Sequence, residues 1–352
     1  MVTSPPGLAP PVPATRMRDQ MLHRVEGRIQ RLLADESARW AAVDARGRVP
    51  VAAVSALVHA GGKRLRPAFC LTGFLAAGGD PGDERAVDAA AALEFLHAFA
   101  LIHDDVMDDS QVRRGVPTVH TRHTDEHLAH GWRGEARRYG ESVAILTGDL
   151  AYSYADRLVT RLPADAREIW TDLATEMIIG QFFDIAVAAE SNLDPDLCRW
   201  IAVGKSGAYS IHRPLVLGAA VAGRADLGPA FRDYGTALGE AFQLRDDLID
   251  AYGDAHAAGK PTGHDLKQHK MTLLLVRATQ KDPRIHAMVT GGEWDGDALR
   301  ALLDDCGVRA DIERRIDDLV AAARAALAGI DTPLAWRDEL TAMAIKVAYR
   351  DR

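Results

Sequence analysis

The sequence is poor in cysteine, and this scarcity excludes architectures that depend on cross-links or thiolate ligands. Its three cysteines, Cys70, Cys198 and Cys306, are widely spaced among the 352 residues and form no C-x-x-C pair. A disulfide framework or a cysteine-based zinc site needs more thiols at closer spacing. The cysteines instead fit a reducing compartment, and we expect the protein to be cytoplasmic.

Features that direct a chain to nucleic acid or into a membrane are missing as well. The formal net charge is −8 at pH 7, whereas nonspecific nucleic-acid binding needs a basic face. No basic segment followed by an apolar one begins the chain, so no signal peptide is predicted. No apolar run is expected to be long enough to span a bilayer. We therefore expect neither a nucleic-acid partner nor stable membrane insertion.

Alternating strand patterns are absent, whereas long apolar-rich runs are common. Alanine and leucine dominate these runs, which favours helix over sheet. The predicted helices cover residues 86–109, 142–162, 164–189, 197–211, 229–252 and 299–327. Residues 1–15 are rich in proline and are predicted to be a disordered tail, because they bury too little apolar surface to offset their ordering entropy. Residues 16–352 are predicted to form one all-α domain.

Two aspartate clusters with the same spacing lie within apolar stretches. The first cluster reads Asp-Asp-Val-Met-Asp from Asp104 to Asp108, and the second reads Asp-Asp-Leu-Ile-Asp from Asp246 to Asp250. Helical residues four apart share a face, so each cluster can offer two carboxylates to one hard cation. Carboxylates without histidine or cysteine ligands favour Mg²⁺ over zinc. One such cluster alone is typical of a solvated acidic face, but two in apolar surroundings repel themselves unless cations bind between them.

Basic residues precede, separate and follow the two clusters. In chain order they are Lys63, Arg66, Arg113, Arg114, Lys205, Lys260 and Lys270. Arginine forks and lysine ammonium groups suit phosphate oxygens. The nucleotide-binding pattern G-x-x-x-x-G-K-[ST] is absent around Lys63 and Lys205. Each basic position alone is typical of an exposed turn, but their order around the aspartates indicates an anion clamped by metal-bound carboxylates and cations.

At this point the chain resembles the trans-isoprenyl diphosphate synthase, or polyprenyl synthetase, family. The resemblance runs from Leu57 to about Ala278 and rests on the motifs GGKRLRP, LHAFALIHDDVMDDSQVRRGVPT, LTGDLA, GQFFDI, GKSG, FQLRDDLIDAYGD and GKPTGHDLKQHKMT. It implies an all-α bundle around a deep central cavity, usually assembled as a homodimer. It also implies head-to-tail (1'-4) condensation of isopentenyl diphosphate with a C5–C15 allylic diphosphate, through ionisation to a carbocation.

The resemblance assigns roles to individual residues. Asp104, Asp108 and Asp246 would be direct ligands of three Mg²⁺ ions, while Asp105, Asp247 and Asp250 would support them. The catalytic set would be Asp104, Asp105, Asp108, Lys205, Asp246 and Asp247. The allylic diphosphate would be held by Arg113, Lys205, Gln243 and Lys260 with Ser206 nearby, isopentenyl diphosphate by Lys63, Arg66, His97 and Arg114, and Lys270 matches a further lysine of the family. Ser206 stands where threonine is common, and its hydroxyl is kept.

Product length depends on the residues that precede the first cluster. Phe99 lies five residues before Asp104. An aromatic residue at this position resembles the pattern of the geranylgeranyl diphosphate synthases, which make C20 chains. Helix geometry places Ala100 rather than Phe99 under Asp104, so the role of Phe99 comes from the family alone. A farnesyl or a longer product is the alternative, and the length could instead be set by Leu93, Leu96 or Phe182.

Three other functions and one other site share part of this pattern. A class I terpene cyclase would replace the second cluster with an Asn/Ser/Glu type and would not need the Lys63, Arg66 and His97 pocket. A non-catalytic partner subunit would have lost aspartates, and a metal-buffering protein would not need phosphate-binding cations. In the segment 118–141, His120, His123 and His127 could form a metal site, but the favoured interpretation is an exposed mobile loop.

Overall fold

The computed structural model describes residues 13–253, 263–291 and 294–350, and they form an almost entirely helical protein. In chain order the helices are α1 (Ala14–Ala41), α2 (Arg48–His59), α3 (Leu65–Ala76), α4 (Glu84–Met107), α5 (Val119–His130), α6 (Ala136–Val159), α7 (Ala164–Glu190), α8 (Pro195–Ile201), α9 (Arg213–Val221), α10 (Gly228–Tyr252), α11 (His264–Lys267), α12 (Leu273–Lys281), α13 (Pro283–Thr290), α14 (Gly296–Asp305), α15 (Val308–Ala326) and α16 (Leu334–Ala348). The predicted all-α class is confirmed.

Three shorter types of element join these helices. A π-helical segment, the π segment, covers Ala202–His212 between α8 and α9. Single 3₁₀ turns lie at Ala45–Gly47 and Ala225–Leu227. Two-residue strands β1 (Val112–Arg113) and β2 (Val116–Pro117) pair antiparallel just after the first aspartate cluster.

Several predicted boundaries need correction. The predicted helix over 299–327 is wrong, because α14 and α15 are separated at Gly307, whose φ of 71° is left-handed. The predicted helix over 197–211 is only α-helical up to Ile201, and its remainder belongs to the π segment. The predicted tail over 1–15 also ends too late, because Ala14 and Thr15 belong to α1; residues 1–12 of that tail lie outside the described residues.

Helix α4 forms the centre of the core and carries the first cluster at its end. Asp83 caps its beginning by accepting a hydrogen bond from the backbone N–H of Arg85 at 2.8 Å. A run of alanines lets α4 pack closely against α1, α3 and α6. This helix is long and apolar enough to cross a membrane, so the expectation that no apolar run would reach that length was wrong. However, 72% of its most apolar window is buried inside the protein, which is typical of a core helix.

A close approach between α10 and the π segment brings the second cluster toward the first. Gly207 and Gly239 face each other, and a Cβ added to either would lie 2.6 Å from the Cα of the other. Only glycine permits this backbone distance, since real Cβ atoms do not approach so closely. The contact fixes Lys205 on the π segment beside the part of α10 that contains Gln243 and Asp246.

Candidate active site

The first cluster lies at the C-terminal end of α4, where the chain leaves the core. Asp108 is the C-cap residue, and its backbone N–H still donates to the carbonyl of Asp104 at 2.9 Å. The expected helical spacing of Asp104 and Asp108 is therefore present. Asp104 has one buried carboxylate oxygen, Oδ1, that has no hydrogen-bond partner among the described residues.

The hairpin formed by β1 and β2 brings Arg113 next to this cluster. Arg114 and Gly115 adopt positive φ values of 53° and 79° in its turn, and Arg113 precedes them. The Nε and Nη2 atoms of Arg113 each lie 2.7 Å from Oδ1 of Asp105, and Nη2 is 3.8 Å from Asp104. Burial raises the pKa of the Asp105 carboxyl to about 6, although Arg113 opposes this.

Two lysines reach the other aspartates of the first cluster. Lys205 donates to Asp184 at 2.6 Å and lies 3.9 Å from Oδ1 of Asp104. Lys270 donates to Asp108 at 2.7 Å. Burial would lower the pKa of the Lys270 ammonium, but the nearby carboxylates, Asp108 foremost, outweigh burial and raise it. Arg113, Lys205 and Lys270, far apart in the chain, therefore surround the three carboxylates of Asp104, Asp105 and Asp108.

The second cluster lies in the last turns of α10, and its three aspartates have different surroundings. Asp247 is buried, accepts from Gln243 Nε2 at 2.8 Å and lies 3.4 Å from the backbone N–H of Leu274. Burial raises the pKa of this carboxyl to about 8. Asp250 is also buried and accepts from the backbone N–H of Asp265 at 3.0 Å. Asp246 alone is open, with 41% of its side chain exposed.

Both clusters border one large cavity of about 870 Å³, the main cavity. Its polar wall includes Arg66, His97, Asp104, Arg113, Arg114, Lys205, Ser206, Gln243 and Asp246. Its apolar wall includes Phe99, Ala100, Met107, Met177, Ile178, Phe182 and Ile185. Charged groups at one end of an apolar cavity suit a ligand with an anionic head and a hydrocarbon tail.

The ring of Phe99 is held within the main cavity wall. It packs edge-on against His103 and Tyr152, with ring centroids 4.6 and 5.2 Å apart. Of the alternative length-setting positions, Phe182 also lines the cavity, whereas Leu93 and Leu96 are fully buried in the core and do not line it. Of the candidate length-setting positions, Phe99 and Phe182 are therefore the ones that a long ligand would meet.

A second, smaller cavity of about 310 Å³, the side cavity, adjoins the main cavity. Its charged wall consists of Lys63, Arg64, Arg66, Glu94, Arg114, Asp246 and Arg350, together with His97. Arg66, His97, Arg114 and Asp246 border both cavities. The residues predicted for the second substrate are thus gathered in one place, next to those predicted for the first.

His97 is held as a neutral imidazole between the two cavities. Its Nδ1 lies 3.0 Å from the hydroxyl of Tyr209, and the Arg66 guanidinium carbon lies 4.1 Å from the centroid of that tyrosine ring. Burial, reinforced by Arg66 and Arg114, lowers the pKa of His97 well below its ordinary value. With Nδ1 facing a hydroxyl, the neutral ring is left with Nε2 for a ligand.

Three residues at this site were missed by the sequence predictions. Asp184 lies in the motif GQFFDI, which was recognised without assigning it a role, and it binds Lys205. Tyr209 follows Lys205 by four residues on the π segment. Arg350, near the C-terminus, lies 2.5 Å from Asp246 and stacks 3.9 Å from the ring centroid of Phe242. No local pattern in the sequence marks Arg350.

Other predicted sites are corrected or lie outside the described residues. Lys260 lies outside them. The segment 118–141 is no exposed loop, because most of it forms α5 and the start of α6, and His120, His123 and His127 are buried. Nor do those histidines form a metal site: within residues 13–253, 263–291 and 294–350, no three His, Cys, Asp or Glu side chains are grouped so as to hold a metal. His123 instead contacts Glu126 at 2.8 Å.

Comparison with known proteins agrees with this geometry. Residues 50–303 match the family model described as Polyprenyl synthetase. The chain is 35% identical over 256 residues to a short chain isoprenyl diphosphate synthase of Methanothermobacter thermautotrophicus, covering 71% of this chain and 73% of that one. It is 34% identical over 244 residues to a geranylfarnesyl diphosphate synthase of Aeropyrum pernix, covering 65% and 70%.

A solved structure is similar over nearly the whole chain. It is the geranylgeranyl pyrophosphate synthase of Corynebacterium glutamicum, crystallised with isoprenyl diphosphate and magnesium. The TM-score is 0.88 at 35% sequence identity, and the match covers 94% of this chain and 99% of that one.

Proposed function

The chain belongs to the polyprenyl synthetase family, and from this premise we propose that it joins isopentenyl diphosphate to a C5–C15 allylic diphosphate by head-to-tail (1'-4) condensation. Relatives are named for short-chain, geranylgeranyl and geranylfarnesyl products. Family membership therefore gives the class of reaction and leaves product length to the cavity of this chain. We assign the activity to one catalytic domain covering residues 16–352.

The observation that carries this proposal is the meeting of two anion sites at one apolar cavity. One carboxylate of each cluster, Asp104 and Asp246, and the cations Arg113 and Lys205 border the main cavity. The side cavity adds a second set of cations and shares Arg66 and His97 with the first. Two anionic substrates can thus be held side by side, with the hydrocarbon tail of one directed into the apolar wall.

The carboxylates fit magnesium ions. Asp104 has a buried oxygen without a hydrogen-bond partner in the described part of the chain, and Asp246 is open to both cavities. Mg²⁺ prefers oxygen ligands and needs no group of three protein side chains, because one or two carboxylates together with substrate phosphate oxygens and waters complete its coordination. We propose that Asp104, Asp108 and Asp246 hold three ions. When bound, the ions stabilise the negative charge that develops on the leaving diphosphate.

The cations of the main cavity complete the site for the allylic diphosphate. Arg113 and Lys205 supply charge-assisted hydrogen bonds to its oxygens. Lys270 does not line this cavity and binds Asp108 instead. Gln243 and Ser206 lie in the same region, with Gln243 oriented by Asp247. Breaking the C1–O bond then yields an allylic cation and diphosphate, and these groups hold the diphosphate in place.

The side cavity holds the nucleophile, isopentenyl diphosphate. Arg66 keeps a buried Nε that has no hydrogen-bond partner in the described residues, and Lys63 and Arg114 line the same wall. The isopentenyl double bond attacks C1 of the allylic cation, and a proton passes to the departed diphosphate as the new double bond forms. The apolar wall keeps water from the cation, which would otherwise be hydrolysed.

We assign a C20 product, geranylgeranyl diphosphate, to this cavity. The support is the ring of Phe99, which packs against Tyr152 and His103 in the wall of the main cavity. The growing hydrocarbon chain would meet this ring. Phe99→Ala is expected to lengthen the product by removing that ring. If Phe99→Ala still makes C20 alone, the length is set elsewhere, and Phe182→Ala is the next variant to test.

We further propose that the enzyme is a cytoplasmic homodimer. Outside the lining of the main cavity, α6 and α7 carry the exposed apolar side chains Ile145, Leu146 and Ile179. An apolar surface of this kind marks an interface more often than a solvated face. Light scattering coupled to gel filtration is expected to give twice the mass of one chain, and the monomer mass would contradict the dimer.

One assay tests the proposed reaction. The purified protein is incubated with Mg²⁺, isopentenyl diphosphate and, in turn, each of the C5, C10 and C15 allylic diphosphates, and the dephosphorylated product is sized. A C20 alcohol that appears only when isopentenyl diphosphate is present is expected. A cyclic hydrocarbon formed without isopentenyl diphosphate would indicate a terpene cyclase instead.

A further inference from the structure

The glycine-led turn before α3 ends at Arg64, and Arg66 follows in the first turn of that helix; the two arginines have different surroundings. In Arg64, Nη1 donates to Glu94, Nη2 donates to the Val58 carbonyl at 2.8 Å, and Nε lies 3.9 Å from Glu26. Each nitrogen of this guanidinium therefore faces an oxygen of the protein. Arg66, in contrast, has a buried Nε without a hydrogen-bond partner among the described residues. The guanidinium of Arg64 is therefore used in contacts within the protein, whereas Nε of Arg66 is available to donate to a ligand.

Glu94 is an acid in the wall of a cavity whose ligand is an anion. It lies on α4, three residues before His97, and only 6% of its side chain is exposed. The acids of the side cavity wall are Glu94 and Asp246, and each is held by an arginine, Arg64 and Arg350 respectively. A bare carboxylate at the place of Glu94 would repel a diphosphate in the same cavity.

The backbone of Arg64 is held in an unfavourable conformation. Its φ of 47° and ψ of 39° are left-handed, and it is the N-cap residue of α3. A side chain with a Cβ is disfavoured there, so the surrounding contacts must maintain it. Those contacts join the end of α2 at Val58 to α4 at Glu94. The turn that carries Lys63 and precedes Arg66 is thereby held between α2 and α4.

We propose that Arg64 and Glu94 form a positioning pair for the isopentenyl diphosphate pocket. Arg64 neutralises Glu94 and fixes the turn, so that Arg66 meets the diphosphate without a competing negative charge. The pair touches no reacting atom. This inference rests on the proposed function, because it gives the side cavity a role in binding the second substrate.

A double-mutant cycle tests the pair. Arg64→Ala leaves Glu94 bare, and we expect the KM for isopentenyl diphosphate to rise about tenfold or more. The KM for the allylic substrate and kcat should change no more than about twofold, since the main cavity is untouched. Glu94→Gln alone should have a small effect. The double variant should recover most of the affinity lost in Arg64→Ala, because no bare carboxylate remains.

The pair of Arg28 and Asp88 provides a matched control, because its acid lies on α4, as Glu94 does. Arg28 binds Asp88, a buried acid of α4 that does not line the side cavity, and the side chains of Arg28 and Arg64 are similarly exposed, 17% and 19%. Arg28→Ala should lower the melting temperature about as much as Arg64→Ala but leave the KM for isopentenyl diphosphate unchanged.

Two results would overturn the proposal. In the first, Arg64→Ala leaves the KM for isopentenyl diphosphate unchanged or shifts kcat and both KM values together. In the second, the double variant binds no better than Arg64→Ala. Failure of the proposed function has a different signature, because the wild-type protein would then incorporate no isopentenyl diphosphate at all.

Discussion

The two aspartate clusters share one spacing but have different surroundings. In the first, Asp104 and Asp108 lie at the end of α4, where Lys205 and Lys270 approach them from later segments. In the second, Asp247 is buried and accepts hydrogen bonds, and only Asp246 is open to the cavities. The same short motif thus presents the two proposed ligands Asp104 and Asp108 in one place and, in the other, one proposed ligand, Asp246, beside two buried carboxylates. Its chemistry depends on tertiary neighbours that the spacing does not reveal.

The largest expected effect is a loss of turnover when the first cluster is changed. Asp104→Ala should lower kcat by on the order of 10²–10³ or more, because it removes a proposed magnesium ligand at the charge that develops in the reaction. Its free energy of unfolding should change by less than about 1 kcal/mol, since Oδ1 of Asp104 accepts no hydrogen bond from the described residues. Steady-state kinetics and urea unfolding give both values.

Asp109 provides the control for that variant. It directly follows the first cluster, and 61% of its side chain is exposed. Asp109→Ala should keep turnover within about threefold, as expected for an exposed side chain that borders neither cavity. Near-normal turnover in Asp104→Ala would contradict the assigned role of the first cluster.

The next largest effect is a loss of stability when the second cluster is changed. Asp247→Ala should lower the free energy of unfolding by about 1–3 kcal/mol, because Gln243 and the backbone N–H of Leu274 lose a buried acceptor. Asp247→Asn keeps an acceptor oxygen and should lose less. Urea unfolding of the metal-free protein measures both. Equal stability of wild type and Asp247→Ala would show that the two clusters do not differ in this way.

The smallest effect concerns Asp246 and its arginine. Arg350 lies 2.5 Å from Asp246, so it competes with a cation for that carboxylate. Because Asp246 is partly exposed, Arg350→Ala should change the free energy of unfolding by less than about 1 kcal/mol. The Mg²⁺ concentration for half-maximal rate should fall about threefold, in line with the loss of so weak a pair. Arg284→Ala, which breaks a remote surface pair with Asp282, is the control. A higher Mg²⁺ requirement in Arg350→Ala would contradict this competition.

The sequence was sufficient for features that are local in the chain. The clusters, the turn with Lys63 and Arg66, and the arginine pair at Arg113 are short motifs, and each lies at one of the two adjoining cavities. Long apolar runs such as α4 and α10 were also predicted within a few residues, because helical hydrogen bonds are local. The all-α class follows from the same patterns.

Other features depend on contacts between distant positions and were missed for that reason. Asp184 binds Lys205, Tyr209 orients His97, and Arg350 reaches Asp246 from the far end of the chain. The break at Gly307 was missed because an isolated glycine inside a helical pattern lowers helix stability without dictating a stop. The π segment forms where Gly207 meets Gly239, a tertiary contact that periodicity does not encode.

The stoichiometry of one turnover tests the central claim most directly. Enzyme with Mg²⁺ is mixed with an allylic diphosphate and labelled isopentenyl diphosphate, and both the released diphosphate and the label in the extended chain are counted. The proposed condensation predicts one diphosphate released for each isopentenyl unit joined, and no release from the allylic substrate alone. Diphosphate released without incorporation of label would contradict it.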